Sequence, residues 1–210
     1  MKTPGVIIKN RKDTDFSYAD VVALLHLAFE ERWRQGLHFS CAKMTAEEFE
    51  ADTKVCELFV AVDRESGRLI GHSAIRIYRK PDKPVYGLFE YLAVHPDAAR
   101  QGIASRLLNT CIDYCLSQGA EFILSDTATR AKSSVKFHFK NGFQLADIYS
   151  YHQTNYLSFV FKRPCQASNP HSIIWKSRYF FAYVKLLLLY NDDGSSTAIA
   201  RFISKLKSHK

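Results

Sequence analysis

The chain has 210 residues, is 47% hydrophobic and 24% charged, and carries 29 Lys and Arg against 21 Asp and Glu, a net charge of +8. That balance describes a globular domain with a full core, with or without an extension, and excludes a disordered chain or a small disulfide-stapled one. Five cysteines, an odd number in a chain of this length, point to a reducing, cytoplasmic setting. Residues 1–10 lack a basic stretch followed by a long apolar one, and no apolar run has membrane-spanning length, so neither a leader nor a spanning helix is expected. No zinc-finger, helix-turn-helix or RNA-binding pattern stands in the chain, so a nucleic acid is not an expected partner.

In chain order, Val6–Lys9 reads as a first strand. The stretch "SYADVVALLHLAFEERW" places Val21, Leu25, Ala28, Phe29 and Trp33 at helical spacing. "TAEEFEAD" opens with Thr45 and Glu48 in the arrangement of a capping box. Two strand-like runs follow, residues 56–62 and 68–78, joined by Asp63-Arg64-Glu65-Ser66-Gly67 as a hairpin. Residues 86–94 make a fourth strand. A helix is predicted from about 100 to 118, burying Ile103, Leu107, Leu108, Cys111 and Cys115 and stopping at Gly119. A fifth strand spans 120–127, a helix spans 132–141 before Gly142, and residues 143–162 hold two more strands and a bend. The consecutive strands 2 to 4 should be antiparallel, and strands 4 and 5, separated by a helix, parallel.

Cys111 and Cys115 are four apart on a helix, but Leu107, Leu108 and Ile112 make that face apolar, so they read as buried thiols rather than metal ligands. The body is predicted to close at Pro164, with domain 1–164 followed by a helical extension, 165–210. Seven Lys and Arg and two Asp fall in that extension, so it carries +5 and the body +3. "SIIWKSRYFFAYVKLLLLYN" (172–191) and "SSTAIARFISKLK" (195–207) read as helices, the second with Ile199, Phe202, Ile203 and Leu206 on one face. These helices pack on the body, form a homodimer interface, or lie peripherally on the anionic inner face of a membrane.

Between the fourth strand and the following helix stands "HPDAARQGIASRLL". Gly102 and Ala104 keep side chains away from the helix mouth, where free backbone N–H groups and the helix dipole attract anions. Arg100 can add a guanidinium at the rim. The physics predicts an anionic ligand at residues 100–105. A glycine that merely lets the helix pack is the alternative. The spacing fits neither a Walker phosphate loop nor a three-glycine dinucleotide loop.

"LAVHPDAARQGIASRLL", followed by "SSVKFHFKNGF", resembles the GNAT superfamily of acyl-CoA-dependent N-acyltransferases, and the element order agrees over residues 5 to about 163. The family loop, Gln/Arg-x-x-Gly-x-Gly/Ala, is matched at Gly102 and Ala104 and departs at Ala99. The resemblance implies an α+β fold with a mixed, mostly antiparallel sheet of about seven strands, a parallel, splayed pair of strands 4 and 5, a bulge in strand 4 and helices on both faces. It implies acetyl-CoA as co-substrate; the chain has no metal-ligand spacing, so no metal is expected. The N–H groups of Gln101, Gly102, Ile103, Ala104 and Ser105, with Arg100, would hold its pyrophosphate, and the backbone of Leu92, Ala93 and Val94 would pair with the pantetheine arm. Ser134 is a further implied contact.

Acyl transfer to an amine needs a base, an oxyanion donor and a proton for the leaving thiolate. Glu90 is the one carboxylate in residues 86–94, and alternation puts it on the side of Leu92 and Val94 until a bulge shifts the phase. It reads as the base, or as a solvated or ion-paired edge residue. A backbone N–H near Leu92 or Ala93 is the family-implied oxyanion donor. His138 stands where the family usually has tyrosine; an imidazolium of pKa about 6.5 can protonate a thiolate of pKa about 8.5. The family's asparagine and alanine near the start of that helix are replaced by Ala131 and Ser134. His72 and His95 read as structural. Asp126 and Thr127, at a strand end, and Glu30, Glu31, Trp33, Arg34 and His38, flanking the connection after the first helix, are weaker acceptor-side candidates.

The expected activity is transfer of acetyl from acetyl-CoA to a primary amine of a small molecule, such as an amino sugar, by direct attack. A protein or peptide acceptor is the alternative within enzymes. A non-catalytic CoA-binding or membrane-docked protein is the alternative outside them.

Overall fold

The computed structural model describes residues 5–151, 154–166, 181, 184, 188–189 and 197–199. Chain order is β1 (Val6–Asn10), α1 (Tyr18–Arg34), α2 (Ala46–Thr53), β2 (Cys56–Asp63), β3 (Leu69–Tyr78), β4 (Tyr86–Val94), α3 (Ile103–Ser117), β5 (Phe122–Ala128), α4 (Lys132–Lys140), β6 (Gln144–Ser150) and β7 (Leu157–Pro164). The strands hydrogen-bond in the order β1-β2-β3-β4-β5-β7-β6. β1 to β4 are antiparallel neighbours, β4 and β5 are parallel, and β6 and β7 are antiparallel. This is the mixed α+β sheet that the sequence predicts.

The chain divides into two compact units. One is Met1–Ser125 with Pro164–Ala167; the other is Asp126–Arg163 with Ser168–Lys210.

In the first unit, local signals start and stop the helices. Ser17 with Asp20 and Thr45 with Glu48 each form a reciprocal capping box, satisfying N–H groups that the first turn leaves open. α3 ends in a Schellman motif: Gly119 takes a φ of 73°, its N–H donates to the Leu116 carbonyl, and the Ala120 N–H donates to that of Cys115. The start of α3 corrects the sequence reading. The helix begins at Ile103, not near 100, because Arg100 and Gly102 sit at positive φ, outside helical geometry.

The sheet of this unit buries two faces. Against one, α1 and α2 bring Val21, Leu25, Phe29 and Phe49 onto Leu58, Ala74 and Ala93. Against the other, α3 brings Ile103, Leu107, Leu108, Cys111 and Cys115, each 1% exposed or less. Closing such side chains off from water contributes roughly 1.5–3 kcal/mol apiece. Gly71 lets α3 approach: a Cβ there would lie 2.9 Å from Ile103 Cγ2. Burial pushes the Cys111 thiol up to about 12, and the hydrogen bond with Cys165, then burial, raise that of Cys115, so these are inert core groups.

The second unit packs aromatic rings. Phe143, Phe159 and Phe161 are 3% exposed or less, and His138 stacks on Phe161 at 4.5 Å. The predicted helices at 172–191 and 195–207 lie largely outside the described residues. Of the described positions there, Phe181, Leu188 and Ile199 are helical and exposed. Among the described residues no helix is long and apolar enough to cross a membrane.

Candidate active site

β4 begins as a regular strand. Tyr78 pairs with Tyr86 and Ala74 with Glu90, but His72 then pairs with Ala93 and Gly71 with Val94. Tyr91 and Leu92 therefore stand opposite the single residue Ser73, which is a bulge. Tyr91 takes a φ of 54°, a conformation that is costly for a side chain of its size. Three contacts hold it there. His72 Nδ1 donates to the Tyr91 carbonyl at 3.0 Å, the Tyr91 hydroxyl donates to Asp52 Oδ2 at 2.8 Å, and its ring meets Phe49 edge-on at 5.2 Å.

The bulge shifts the phase of the strand. Cross-strand partners share a face. Glu90 pairs with Ala74, part of the α1/α2 core, while Val94 pairs with Gly71, which faces α3. Simple alternation, which groups Glu90 with Val94, fails here: Glu90 lies on the α1/α2 face with Ala93. The parallel ladder pairs Tyr86 with Phe122, Gly87 with Ile123 and Leu88 with Leu124, and goes no further among the described residues. Beyond Leu88 the β5 side of β4 is without a ladder, which leaves backbone groups of Leu92, Ala93 and Val94 able to take an added strand-like ligand.

Charge gathers beside the bulge. Arg76 Nε donates to Glu90 Oε2 at 3.2 Å, and Arg76 Nη2 donates to the Asp52 carbonyl at 2.9 Å and to Asp52 Oδ2 at 3.1 Å. Burial works against the Arg76 cation, but the Glu90 and Asp52 carboxylates help to outweigh it and raise its pKa. Burial, then the Asp52 carboxylate, raise the pKa of Tyr91, so its hydroxyl stays a donor. The cluster offers Glu90 as a half-buried proton acceptor held in place by an ion pair. Sequence reasoning passed over Arg76, Asp52 and Tyr91; they come from three elements and no local pattern joins them.

β4 leads through a short 3-10 turn, Pro96–Ala98, into the α3 mouth. His95 Nδ1 accepts the Asp97 N–H at 3.2 Å. Arg100 has a φ of 64° and Gly102 one of 79°. Gly102 is the N-cap of α3; among the described residues no side chain caps the helix, and a Cβ on Gly102 would meet nothing within 4 Å. The N–H groups of Ile103, Ala104 and Ser105 have no helical partner by geometry. The mouth is thus open, positive and bare of side chains, with exposed Arg100 beside it and Gln101 half-buried between. A pyrophosphate fits these features.

Ser134 and His138 belong to the second unit. They are one helical turn apart on α4, and His138 Nδ1 donates to the Ser134 carbonyl at 2.8 Å. His138 is 3% exposed and its ring lies among Phe137, Phe143 and Phe161. Asp126 is exposed and Thr127 buried. In the first unit, Glu30 and Arg34 form an exposed i,i+4 ion pair, and Trp33 stacks on His38 at 4.4 Å. Among the described residues no group of His, Cys, Asp and Glu is placed to hold a metal ion.

A family model described as Acetyltransferase (GNAT) family matches residues 19–143. A search of curated proteins gives no match. Among solved structures, the NatC complex bound to Gag peptide and CoA is 16% identical with a TM-score of 0.60, covering 76% of this chain and 98% of that one. Arabidopsis thaliana NAA60 in complex with a bisubstrate analogue is 14% identical, TM-score 0.58, covering 76% and 97%. A GNAT family acetyltransferase from Elizabethkingia anophelis with acetyl-CoA bound is 16% identical, TM-score 0.54, covering 76% and 97%. At these identities the likeness is one of fold.

Proposed function

The chain belongs to the acetyltransferase (GNAT) family, an acyl-CoA-dependent class of enzyme, and from that premise we propose that its acceptor is the primary amine of a small molecule. The observation that carries the choice is the clamp at Asp52. Its carbonyl and carboxylate hold Arg76 and its carboxylate also holds Tyr91, fastening α2 over the β4 face beside Glu90. A face covered in this way favours a compact acceptor over an extended chain.

In this reading the thioester supplies the activated acyl group, and the protein places charge and protons around it. Arg100 and the N–H groups of Gln101 to Ser105 bind the pyrophosphate. The backbone of Leu92, Ala93 and Val94 aligns the pantetheine arm. Glu90 takes a proton from the acceptor ammonium, directly or through a water, so that a neutral amine attacks. The Leu92 N–H donates a hydrogen bond to the carbonyl oxygen as negative charge builds on it. His138, by analogy with the family tyrosine, acts as an imidazolium: its Nδ1–H stays bonded to the Ser134 carbonyl and its Nε2–H gives a proton to the departing thiolate, leaving the ring neutral. Ser134 is the remaining proposed cofactor contact.

The test is thiol release from acetyl-CoA with a panel of small amines and of peptide N-termini. Turnover of small amines is expected, with kcat lowered at least about 100-fold in Glu90→Gln. Turnover of peptides alone would overturn the acceptor class. For His138, Tyr should preserve kcat where Phe lowers it; equal rates would leave His138 a packing residue. For the extension, exposed Phe181, Leu188 and Ile199 and its +5 charge support peripheral docking on an anionic membrane. Flotation of the full chain with anionic vesicles, lost in a variant with all three changed to Ser, is the expected result. Absence of flotation with a concentration-dependent mass would move the reading to a homodimer.

A further inference from the structure

His72 is a costly residue for its place. It is fully buried in β3, and its Nε2 has no hydrogen-bond partner among the described residues. An unpaired buried polar atom costs roughly 1–3 kcal/mol, which an apolar side chain of similar shape would avoid. What His72 does have is one directed bond, from Nδ1 to the Tyr91 carbonyl at 3.0 Å. Its ring also meets Phe49 edge-on at 5.6 Å, and Phe49 in turn meets Tyr91.

The carbonyl of Tyr91 and the N–H of Leu92 belong to one planar peptide unit and point in opposite directions. Whatever fixes the first aims the second. At this bulge the β3 ladder does not fix it, because Tyr91 and Leu92 have no register partner on β3, and the β5 ladder has already ended. Tyr91 also sits at a φ of 54°, a conformation that would relax without external restraint. A donor on the carbonyl further polarises the peptide, making the opposite N–H a stronger donor.

We propose that His72 is a positioning residue for acetyl transfer: its Nδ1–H, bonded to the Tyr91 carbonyl, holds the Tyr91–Leu92 peptide so that the Leu92 N–H stays aimed at the developing oxyanion. The inference rests on the acetyl-transfer reading above, with Leu92 as donor. Burial supports it by holding the His72 pKa down at about 4, which keeps the ring neutral with its one proton on Nδ1.

The experiment compares His72→Asn, whose amide nitrogen can replace Nδ1 as donor, with His72→Gln, which places its amide nearer the Nε2 position, and His72→Phe, which has no donor. Steady-state kinetics are run with acetyl-CoA at temperatures where each variant is folded. The expected result is a kcat lowered about tenfold to 100-fold in the Phe and Gln variants, with KM for acetyl-CoA within about twofold, and kcat within a few-fold of wild type in the Asn variant. Should the Phe variant not fold, Asn against Gln makes the same comparison. Wild-type rates in the Gln or Phe variant would overturn the proposal, as would equal losses in all three. If the wild type turns over no amine, the acceptor reading fails. The same variants are then compared by slow hydrolysis of acetyl-CoA to acetate and free thiol, which draws on the same oxyanion donor.

Discussion

Two neighbouring places at which the backbone leaves regular geometry are built in opposite ways. At the α3 mouth, Arg100 and Gly102 take positive φ in the open, with no side chain capping the helix and empty space where a Gly102 Cβ would stand. At the β4 bulge, Tyr91 takes positive φ beneath α2, held by His72, Asp52 and Phe49. The mouth works through missing side chains, so an added atom damages it. The bulge is imposed by side chains, so a removed atom relaxes it.

The largest expected effect comes from filling the mouth. Gly102→Trp should lower acetyl-CoA affinity at least about 100-fold by calorimetry, close to 3 kcal/mol, while the chain stays folded. Unchanged affinity would mean that the open space is not where the ligand binds.

The bulge should show itself in pH dependence. His72 has a folded pKa near 4 against an ordinary 6.5. Between those values the unfolded chain binds a proton that the native chain does not. Stability therefore rises with pH through the window: the His72 contribution is complete above about 6.5 and is lost as pH falls to about 4. The change is about 3 kcal/mol, read as denaturation midpoints in the wild type against His72→Asn. Parallel curves for the two proteins would break the assignment.

Tyr91→Phe removes only the hydroxyl bond to Asp52 and should cost about 1 kcal/mol in chemical denaturation. The smallest effect sharpens the contrast. Arg34→Ala breaks the exposed pair with Glu30 and should change stability by about 0.3 kcal/mol, because solvent screens that pair and neither site depends on it.

The two places also differ in how far they can be read from the chain. The mouth was legible because its signal is local: Gly102 and Ala104 stand just ahead of an amphipathic run, and Gly119 marks the end of that run. The capping box at Thr45 and the antiparallel order of β2 to β4 were legible for the same reason. The first residue of α3 was misplaced because a positive φ at Arg100 has no residue-type signal. The bulge was expected only through family resemblance. Its position and its phase shift depend on His72 and Asp52, 19 and 39 residues away from Tyr91, which no local pattern encodes. In the sequence His72 reads as structural; its bond to the strained peptide is visible only in three dimensions.

The most direct measurement of the central claim is a titration of acetyl-CoA into the full chain, followed by backbone amide chemical shifts. The largest changes are expected at Gly102, Ile103, Ala104 and Ser105 and along Leu92, Ala93 and Val94. Changes confined to the open groove lined by Val6, Ile8, Arg106 and Asn109, or no saturable change at all, would contradict the placement of the cofactor at the α3 mouth and the β4 edge.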